Sequence, residues 1–216
     1  MGEWPKRWEA SCRELLEFEG AGLPSQVWVW TAEVGVSREK VGELLELLDG
    51  REKDKALRYR DGKRESYVLA HALRRSLLAA CLGADPRELT FSADSTGYPS
   101  PIADGNDQWF HSLSHSGRYT AVAAAANRRL GVDIERPRAI HHADELAAMV
   151  LPSGANRADA NILAAWVRWE ALTKATGEGL ARPLHPLPDR LTASGRLWRV
   201  HSLPHPSAHL AVVLTA

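Results

Sequence analysis

The sequence contains few cysteines, no long apolar run and no excess of charge of either sign. Its two cysteines, Cys12 and Cys81, are too few for the disulfide framework of a small secreted domain. The longest apolar run, 121–126, is far shorter than the roughly 20 residues of a membrane helix, and the N-terminus lacks the apolar segment of a signal peptide. The 27 basic and 27 acidic residues cancel, which argues against a nucleic-acid binder. These absences predict a cytoplasmic protein that binds neither membranes nor nucleic acids.

Charge is concentrated in one part of the chain. The 216 residues are 44% hydrophobic, enough for one large domain or two small ones. Between Arg51 and Arg75 there are nine basic residues against four acidic ones, so the rest of the chain is acidic. Such a segment can bind a polyanion, or it can be a solvated helix face with many ion pairs. Charge alone favours the solvated face.

The spacing of apolar residues predicts mixed helices and strands. The predicted strands are 26–32, 89–92, 108–114, 119–125, 130–135, 196–200 and 209–214, and the predicted helices are 41–48, 65–82, 143–150 and 159–176. This order indicates an α+β architecture in two similar halves related by a pseudo-two-fold axis. The halves are expected at residues 1–105 and 106–216, with the junction near residues 104–108.

Two acidic residues share one face of a predicted strand. In the segment Gly131-Val-Asp-Ile-Glu135, side chains two residues apart point the same way, so Asp133 and Glu135 lie on one face. On its own, this pattern favours an ordinary half-exposed strand. Two carboxylates on one face are also typical of a Mg²⁺ site, because Mg²⁺ takes oxygen ligands and completes its shell with water and substrate phosphate.

A third acidic residue lies on a predicted helix. Trp166, Glu170 and Lys174 are four residues apart and form one stripe along it. The stripe is either a surface ion pair worth a few tenths of a kcal/mol or a third carboxylate followed by a lysine that meets phosphate charge. A hydroxyl-rich strand end at 110–118 could bind phosphate. No Gly-x-Ser-x-Gly elbow for an acyl-transfer serine is present.

In this order, these segments resemble the Sfp-type 4′-phosphopantetheinyl transferases. The matching pieces are Gly97-x-Pro99, Leu113-Ser-His-Ser-Gly117, Gly131-Val-Asp-Ile-Glu135, Trp166-x-x-x-Glu170-Ala-x-x-Lys174-x-x-Gly177-x-Gly179-Leu180, and upstream the segments 55–60 and 67–75. The resemblance spans roughly residues 44–214. It implies a fold of two similar α+β halves with the cofactor in the cleft between them, and a monomer.

The resemblance also implies an activity and its catalytic residues. Such enzymes transfer 4′-phosphopantetheine from coenzyme A to a serine of an apo acyl or peptidyl carrier protein of fatty-acid, polyketide or non-ribosomal peptide synthesis, and release adenosine 3′,5′-bisphosphate. By match of position, Asp133, Glu135 and Glu170 would hold Mg²⁺, or Mn²⁺. Glu170 would also take the proton of the acceptor serine, and Lys174 would steady the developing charge or protonate the leaving group.

Five more residues are expected to bind coenzyme A. Ser114 and His115 would meet its 3′-phosphate end, with help from Lys55 and Arg75, and Tyr67 would lie near the adenine. On this hypothesis the basic segment forms a wall for the cofactor phosphates.

Three positions depart from the family pattern. Trp169 and Tyr98 stand where family members often have lysine, and Ser112 stands where asparagine is common. Two alternatives therefore stay open. One is a non-catalytic module that binds coenzyme A or a carrier protein, which Trp169 and Tyr98 favour. The other is a metal-dependent phosphodiesterase that uses the same acids with water as the nucleophile.

Overall fold

The computed structural model describes residues 12–17, 23, 26–34, 38–93, 98–151, 161–178 and 188–216. The strands in these ranges are β1 (Cys12–Glu17), β2 (Val27–Val34), β3 (Ile102–Asp104), β4 (Asp107–Ser116), β5 (Tyr119–Ala126), β6 (Leu130–Glu135), β7 (Arg190–Ala193), β8 (Arg196–Leu203) and β9 (His209–Thr215). The helices are α1 (Arg38–Leu45), α2 (Gly50–Leu57), α3 (Asp61–Leu82), α4 (Ala143–Val150) and α5 (Ile162–Thr176).

The strands form two antiparallel sheets. The first has five strands in the order β1-β2-β5-β4-β3, and the second has four in the order β6-β9-β8-β7. Two antiparallel sheets with helices packed on their outer faces make the α+β architecture that the sequence predicts. The chain changes sheet between β5 and β6. The division at residue 105 stays a prediction. That residue lies in the turn of the β3–β4 hairpin, and β4 and β5 pair in the same sheet as β2.

The two sheets and the helices pack as layers. β5 is buried on both faces: Val122 and Ala124 pack toward α1 and α3, whereas Ala121 and Ala123 pack against β6 and β9. Small alanine side chains allow the layers to approach closely. Helix α5 covers the other face of the second sheet, where its apolar stripe meets β8 and β9. The first sheet is thus enclosed between helices and the second sheet, and its strand β4 contacts β6.

The structure differs from the predicted elements in five places. Three of its strands, β1, β3 and β7, were not predicted. The predicted strand at 89–92 is wrong: only an isolated bridge joins Ala93 to Pro99. The carbonyl of Leu89 accepts a hydrogen bond from the Arg75 guanidinium at 2.8 Å and so joins no strand ladder. Helix α2 was also not predicted, because Glu52 and Ala56 are its only buried residues and no apolar period marks it.

Local signals explain where α3 ends and where α2 begins and ends. The backbone of Gly83, with a φ of 63°, closes α3 in the left-handed region. Asp49 and Glu52 form a capping box at the start of α2, and the Arg64 guanidinium binds the carbonyls of Ala56 and Leu57 at its end. No helix among the described residues is long and apolar enough to cross a bilayer.

Candidate active site

One cavity of about 370 Å³ lies between the α2–α3 pair on one side and β4, β6 and α5 on the other. Eight of the nine residues that the resemblance assigns to the site line it: Lys55, Tyr67, Ser114, His115, Asp133, Glu135, Glu170 and Lys174. Tyr59, His71 and Leu113 complete the lining. The cavity therefore gathers residues more than a hundred positions apart in the chain.

Two neighbouring residues of β4, at a part of its edge that β3 does not cover, reach the two ends of the cavity. β3 pairs with β4 only as far as Trp109, and no other described strand covers that edge. Side chains alternate along a strand, so Ser114 faces β6 while its neighbour His115 faces α3. His115 also lines a second cavity of about 370 Å³, which shares Tyr59 and Tyr67 with the first.

Asp133 is held by a serine and a lysine. Its Oδ1 accepts hydrogen bonds from Ser114 Oγ at 2.7 Å and from Lys174 Nζ at 2.6 Å, and the same ammonium donates to Ser114 Oγ at 2.9 Å. Its buried Oδ2 has no hydrogen-bond partner among the described residues. Burial raises the pKa of Asp133, against the lowering effects of Lys174 and Ser114.

The other two carboxylates have different surroundings. Glu135 Oε2 accepts a hydrogen bond from the Ser116 hydroxyl and lies 3.6 Å from Arg138 Nε. The Glu170 carboxylate has no hydrogen bond or ion pair within the described ranges. Its pKa is raised by burial first and then by the negative charges of Asp133 and Glu135. The three acids therefore repel one another across the cavity.

The donor set fits a hard divalent cation. Carboxylate oxygens are the ligands that Mg²⁺ prefers, and the unpartnered Asp133 Oδ2 is an acceptor already removed from water. A cation would relieve the repulsion that raises the pKa of Glu170. In the side-chain positions of this structure, no three His, Cys, Asp or Glu groups in the described ranges converge closely enough to hold an ion. The Lys174 ammonium binds Asp133 Oδ1.

The opposite end of the cavity is basic and aromatic. Tyr67 stacks on His71 with ring centroids 4.0 Å apart, and Lys55 Nζ lies 5.5 Å from the Tyr67 ring centroid. Burial raises the pKa of Tyr67 to about 12, so its hydroxyl stays protonated. Sequence reasoning misses His71, although its position four residues after Tyr67 on one helix is a signal that could find it.

Among known proteins, the chain resembles a transferase in sequence, although no protein-family model matches it. It is 26% identical over 172 residues to the 4′-phosphopantetheinyl transferase HetI of Nostoc sp. (strain PCC 7120 / SAG 25.82 / UTEX 2576), and the alignment covers 74% of this chain and 72% of that protein. The chain is thus similar to a 4′-phosphopantetheinyl transferase over most of its length. The similarity confirms the resemblance that the motifs carry.

One residue that the phosphopantetheinyl transferase resemblance assigns to coenzyme A does not reach the cavity. Arg75 is fully buried, and its guanidinium binds Glu52 Oε2 at 2.6 Å and Asp49 Oδ2 at 2.7 Å. The carbonyls of Pro86 and Leu89 accept from its Nη1 at 2.9 and 2.8 Å. Each of the three guanidinium nitrogens is thus engaged within the α2–α3 corner, where the group acts as a structural cation.

The departures from the phosphopantetheinyl transferase pattern also lie outside the cavity lining. The Tyr98 hydroxyl donates to the Leu130 carbonyl at 3.0 Å and accepts from the Leu130 amide at 3.2 Å. Trp169 is 1% exposed and stacks on Trp166. Ser112 Oγ accepts from a backbone amide of β6. Gly97, Gly179 and Leu180, which also belong to the motifs, lie outside the described residues.

Proposed function

We propose that the protein transfers 4′-phosphopantetheine from coenzyme A to a serine hydroxyl of an apo acyl or peptidyl carrier protein. One observation carries the proposal: a single cavity joins three carboxylates and a lysine at one end to a lysine, a histidine and stacked aromatic rings at the other. A pyrophosphate flanked by a nucleotide needs both kinds of surface. The similarity to HetI supports the same reaction class.

The basic and aromatic end suits the nucleotide part of coenzyme A. Lys55 and His115 offer donors to its 3′-phosphate, and the Tyr67 ring offers a face for its adenine. The adjoining cavity, lined also by Lys63 and Ser66, extends the space available to this end of the molecule. Ser114 is expected to act differently, because its hydroxyl is directed to Asp133.

Asp133, Glu135 and Glu170 would hold Mg²⁺, or Mn²⁺, at the other end. The bound ion would neutralise pyrophosphate charge and stabilise the leaving phosphate. Lys174, beside Asp133, adds a positive charge at the same place. In phosphoryl transfer such positioning and charge neutralisation provide most of the catalysis.

Glu170 is the residue suited to accept the proton of the acceptor serine. Asp133 and Glu135 each have an oxygen engaged by a β4 serine, whereas the Glu170 carboxylate is free of such bonds within the described chain. In the transfer, the serine oxygen forms a bond to the phosphorus that bears pantetheine. The bond from that phosphorus to the oxygen of adenosine 3′,5′-bisphosphate breaks, Glu170 takes the serine proton directly or through water, and Lys174 stabilises the released phosphate.

The non-catalytic alternative has less support than the enzyme. It rests on Tyr98 and Trp169, and both are used in packing away from the cavity lining. A module that only binds coenzyme A has no need of three carboxylates around one cavity. The phosphodiesterase alternative uses the same acids, so the reaction itself must separate it from the transferase.

Intact-protein mass spectrometry tests the proposal. An apo carrier protein incubated with the full chain, coenzyme A and Mg²⁺ is expected to gain one phosphopantetheine, and a carrier whose acceptor serine is replaced by alanine should gain none. Retained coenzyme A binding with no mass gain across a panel of acyl and peptidyl carriers would support the binding module. Loss of phosphopantetheine from a holo carrier would support the phosphodiesterase.

A further inference from the structure

We propose that Ser116 is a positioning residue that orients Glu135 for metal binding, through a hydrogen bond that none of the motif assignments uses. The inference rests on the proposed metal site. It concerns the last serine of the Leu113-Ser-His-Ser-Gly117 motif.

Three serines form a row on the face of β4 that contacts β6. Ser112, Ser114 and Ser116 are two residues apart on one strand, so their side chains point the same way. All three are buried. Each hydroxyl bonds to β6 or to the residue after it, and together they join the edges of the two sheets.

The surroundings of Ser116 set the direction of its hydroxyl proton. The backbone amide of Arg136 donates to Ser116 Oγ at 3.3 Å. The hydroxyl proton is then directed to the other neighbour, Oε2 of Glu135. A backbone group, whose position is fixed by the chain leaving β6, therefore orients the serine, and the serine orients the carboxylate.

The row leaves one oxygen of each β6 acid for another ligand. Ser114 and Lys174 engage Oδ1 of Asp133, and its Oδ2 has no partner among the described residues. At Glu135, Ser116 and Arg138 both engage Oε2, and Oε1 makes no hydrogen bond or ion pair in the described chain. A carboxylate tied at one oxygen loses rotational freedom, so less entropy is lost when the second oxygen binds a cation.

Ser112 provides an internal comparison for the same strand and face. It is as buried as Ser116, at 7% against 8% exposure. Its Oγ accepts from the Val132 amide at 3.1 Å and makes no hydrogen bond to a carboxylate in the described part of the chain. Replacing Ser112 therefore removes a bond between the sheets without touching a metal ligand, while replacing Ser116 removes both.

The experiment measures binding of Mn²⁺ alone to the purified full chain by electron paramagnetic resonance. Ser116→Ala is expected to raise the Mn²⁺ dissociation constant about tenfold, the lower end of the effect of losing a hydrogen bond to a metal ligand. Ser116→Thr keeps the hydroxyl and should restore binding. Ser112→Ala should bind Mn²⁺ like the wild type even if its melting temperature falls. Circular dichroism checks that each variant is folded.

Each result decides for or against the role of Ser116. Unchanged Mn²⁺ affinity in Ser116→Ala, equal weakening by Ser112→Ala, no restoration by Ser116→Thr, or no Mn²⁺ binding by the wild type would overturn it. The carrier-modification assay is run in parallel. If the wild type modifies the carrier but Ser116→Ala binds Mn²⁺ with unaltered affinity, the role of Ser116 is refuted and the proposed function is retained. If the variants show the expected Mn²⁺ affinities but the wild type modifies no carrier, the role of Ser116 is retained and the proposed function is refuted.

Discussion

At the scale of single residues, the three carboxylates of the cavity differ in what already binds them. Asp133 faces Ser114 and Lys174, and Glu135 faces Ser116 and Arg138. These two acids are restrained by neighbours. Glu170 keeps its carboxylate free of hydrogen bonds within the described residues, so it can both bind a cation and receive a proton.

Replacing Glu170 is expected to stop transfer without unfolding the protein. Glu170→Gln keeps the shape of the side chain but removes the charge and the basic oxygen. The transfer rate at saturating Mg²⁺ should fall about 10²–10⁴-fold, the usual contribution of a general base. Glu145→Gln, on the exposed face of α4, is the control and should turn over normally. Near-normal turnover of Glu170→Gln in the mass-spectrometric assay would refute the assignment.

Arg75 is expected to matter for stability and not for coenzyme A. Arg75→Met leaves the buried Glu52 without one of its cations, and breaking such a pair costs about 3–5 kcal/mol. Urea denaturation should show this loss, while calorimetry on the folded variant should give wild-type affinity for coenzyme A. Arg87→Met removes an exposed arginine that pairs with Asp85, so it serves as the control. Weakened coenzyme A binding at unchanged stability would return Arg75 to the cofactor site.

At the scale of elements, the site depends on how closely β6 approaches α5. Gly131 is the second residue of β6, and a Cβ there would meet the backbone carbonyl of Ala171 and, at 2.5 Å, the backbone amide of Ala175. Backbone atoms in the middle of a helix cannot move aside. The absence of a side chain at Gly131 therefore lets the strand with Asp133 lie against the helix with Glu170.

Adding one methyl group to two different glycines should have opposite effects. Gly131→Ala is expected to destabilise the fold by at least about 1–3 kcal/mol through overpacking. Gly42→Ala, in α1 with nothing within 4 Å of the added Cβ, should stabilise it by about 0.5–1 kcal/mol because alanine is the better helix former. Urea unfolding of both variants measures the difference. A Gly131→Ala protein as stable as the wild type would show that the two elements can separate freely.

At the scale of the whole molecule, burial of titratable groups makes stability depend on pH. Burial raises the pKa of Glu52, but hydrogen bonds from His71 and Arg75 and the charge of Arg74 outweigh it and bring the pKa to about 2. Burial lowers the pKa of His111 to about 3, with a smaller effect of Arg74. Neither His111 ring nitrogen has a partner in the described chain. Both groups oppose protonation in the folded state.

Stability is therefore expected to fall on acidification. Below the ordinary histidine pKa of 6.5, the unfolded chain takes up a proton at His111 that the folded protein refuses until about pH 3. Within that window the free energy of unfolding should drop by up to about 1.4 kcal/mol per pH unit for this group. Glu52 adds to the loss below pH 4.5, because its folded pKa is depressed to about 2.

Removing the buried histidine should flatten this dependence. His111→Phe keeps an aromatic ring edge-on to Phe91 and removes the titrating group. Urea unfolding at several pH values between 6.5 and 4.5 should give a shallower slope than the wild type, while His141→Gln, at an exposed position, should keep the wild-type slope. An unchanged slope in His111→Phe would mean that another group controls the acid response.

Much of the fold and of the candidate site was predictable from local patterns. The period of α3 and the alternation along β4 mark these two elements, and a continuous apolar run marks β5, which is buried on both faces. The motifs name eight residues that line one cavity. Helix α2 was not predicted, since its two buried residues are Glu52 and Ala56. When one of two buried residues is acidic, the helix shows no period of apolar residues. The predicted strand at 89–92 failed because the Leu89 carbonyl accepts from the Arg75 side chain. Backbone pairing is limited to the Ser100 amide on the Ser92 carbonyl and the isolated bridge beside it.

The sequence by itself determined the spacing of the acids on β6 and α5, since strand and helix periods place side chains on faces without reference to the rest of the chain. Only the tertiary structure decided which charges meet. Lys55 and Arg75 belong to the same basic segment, yet one lines the cavity and the other is buried on Glu52. Local sequence cannot make that distinction, because a charge is buried only where a partner distant in the chain compensates for its lost hydration.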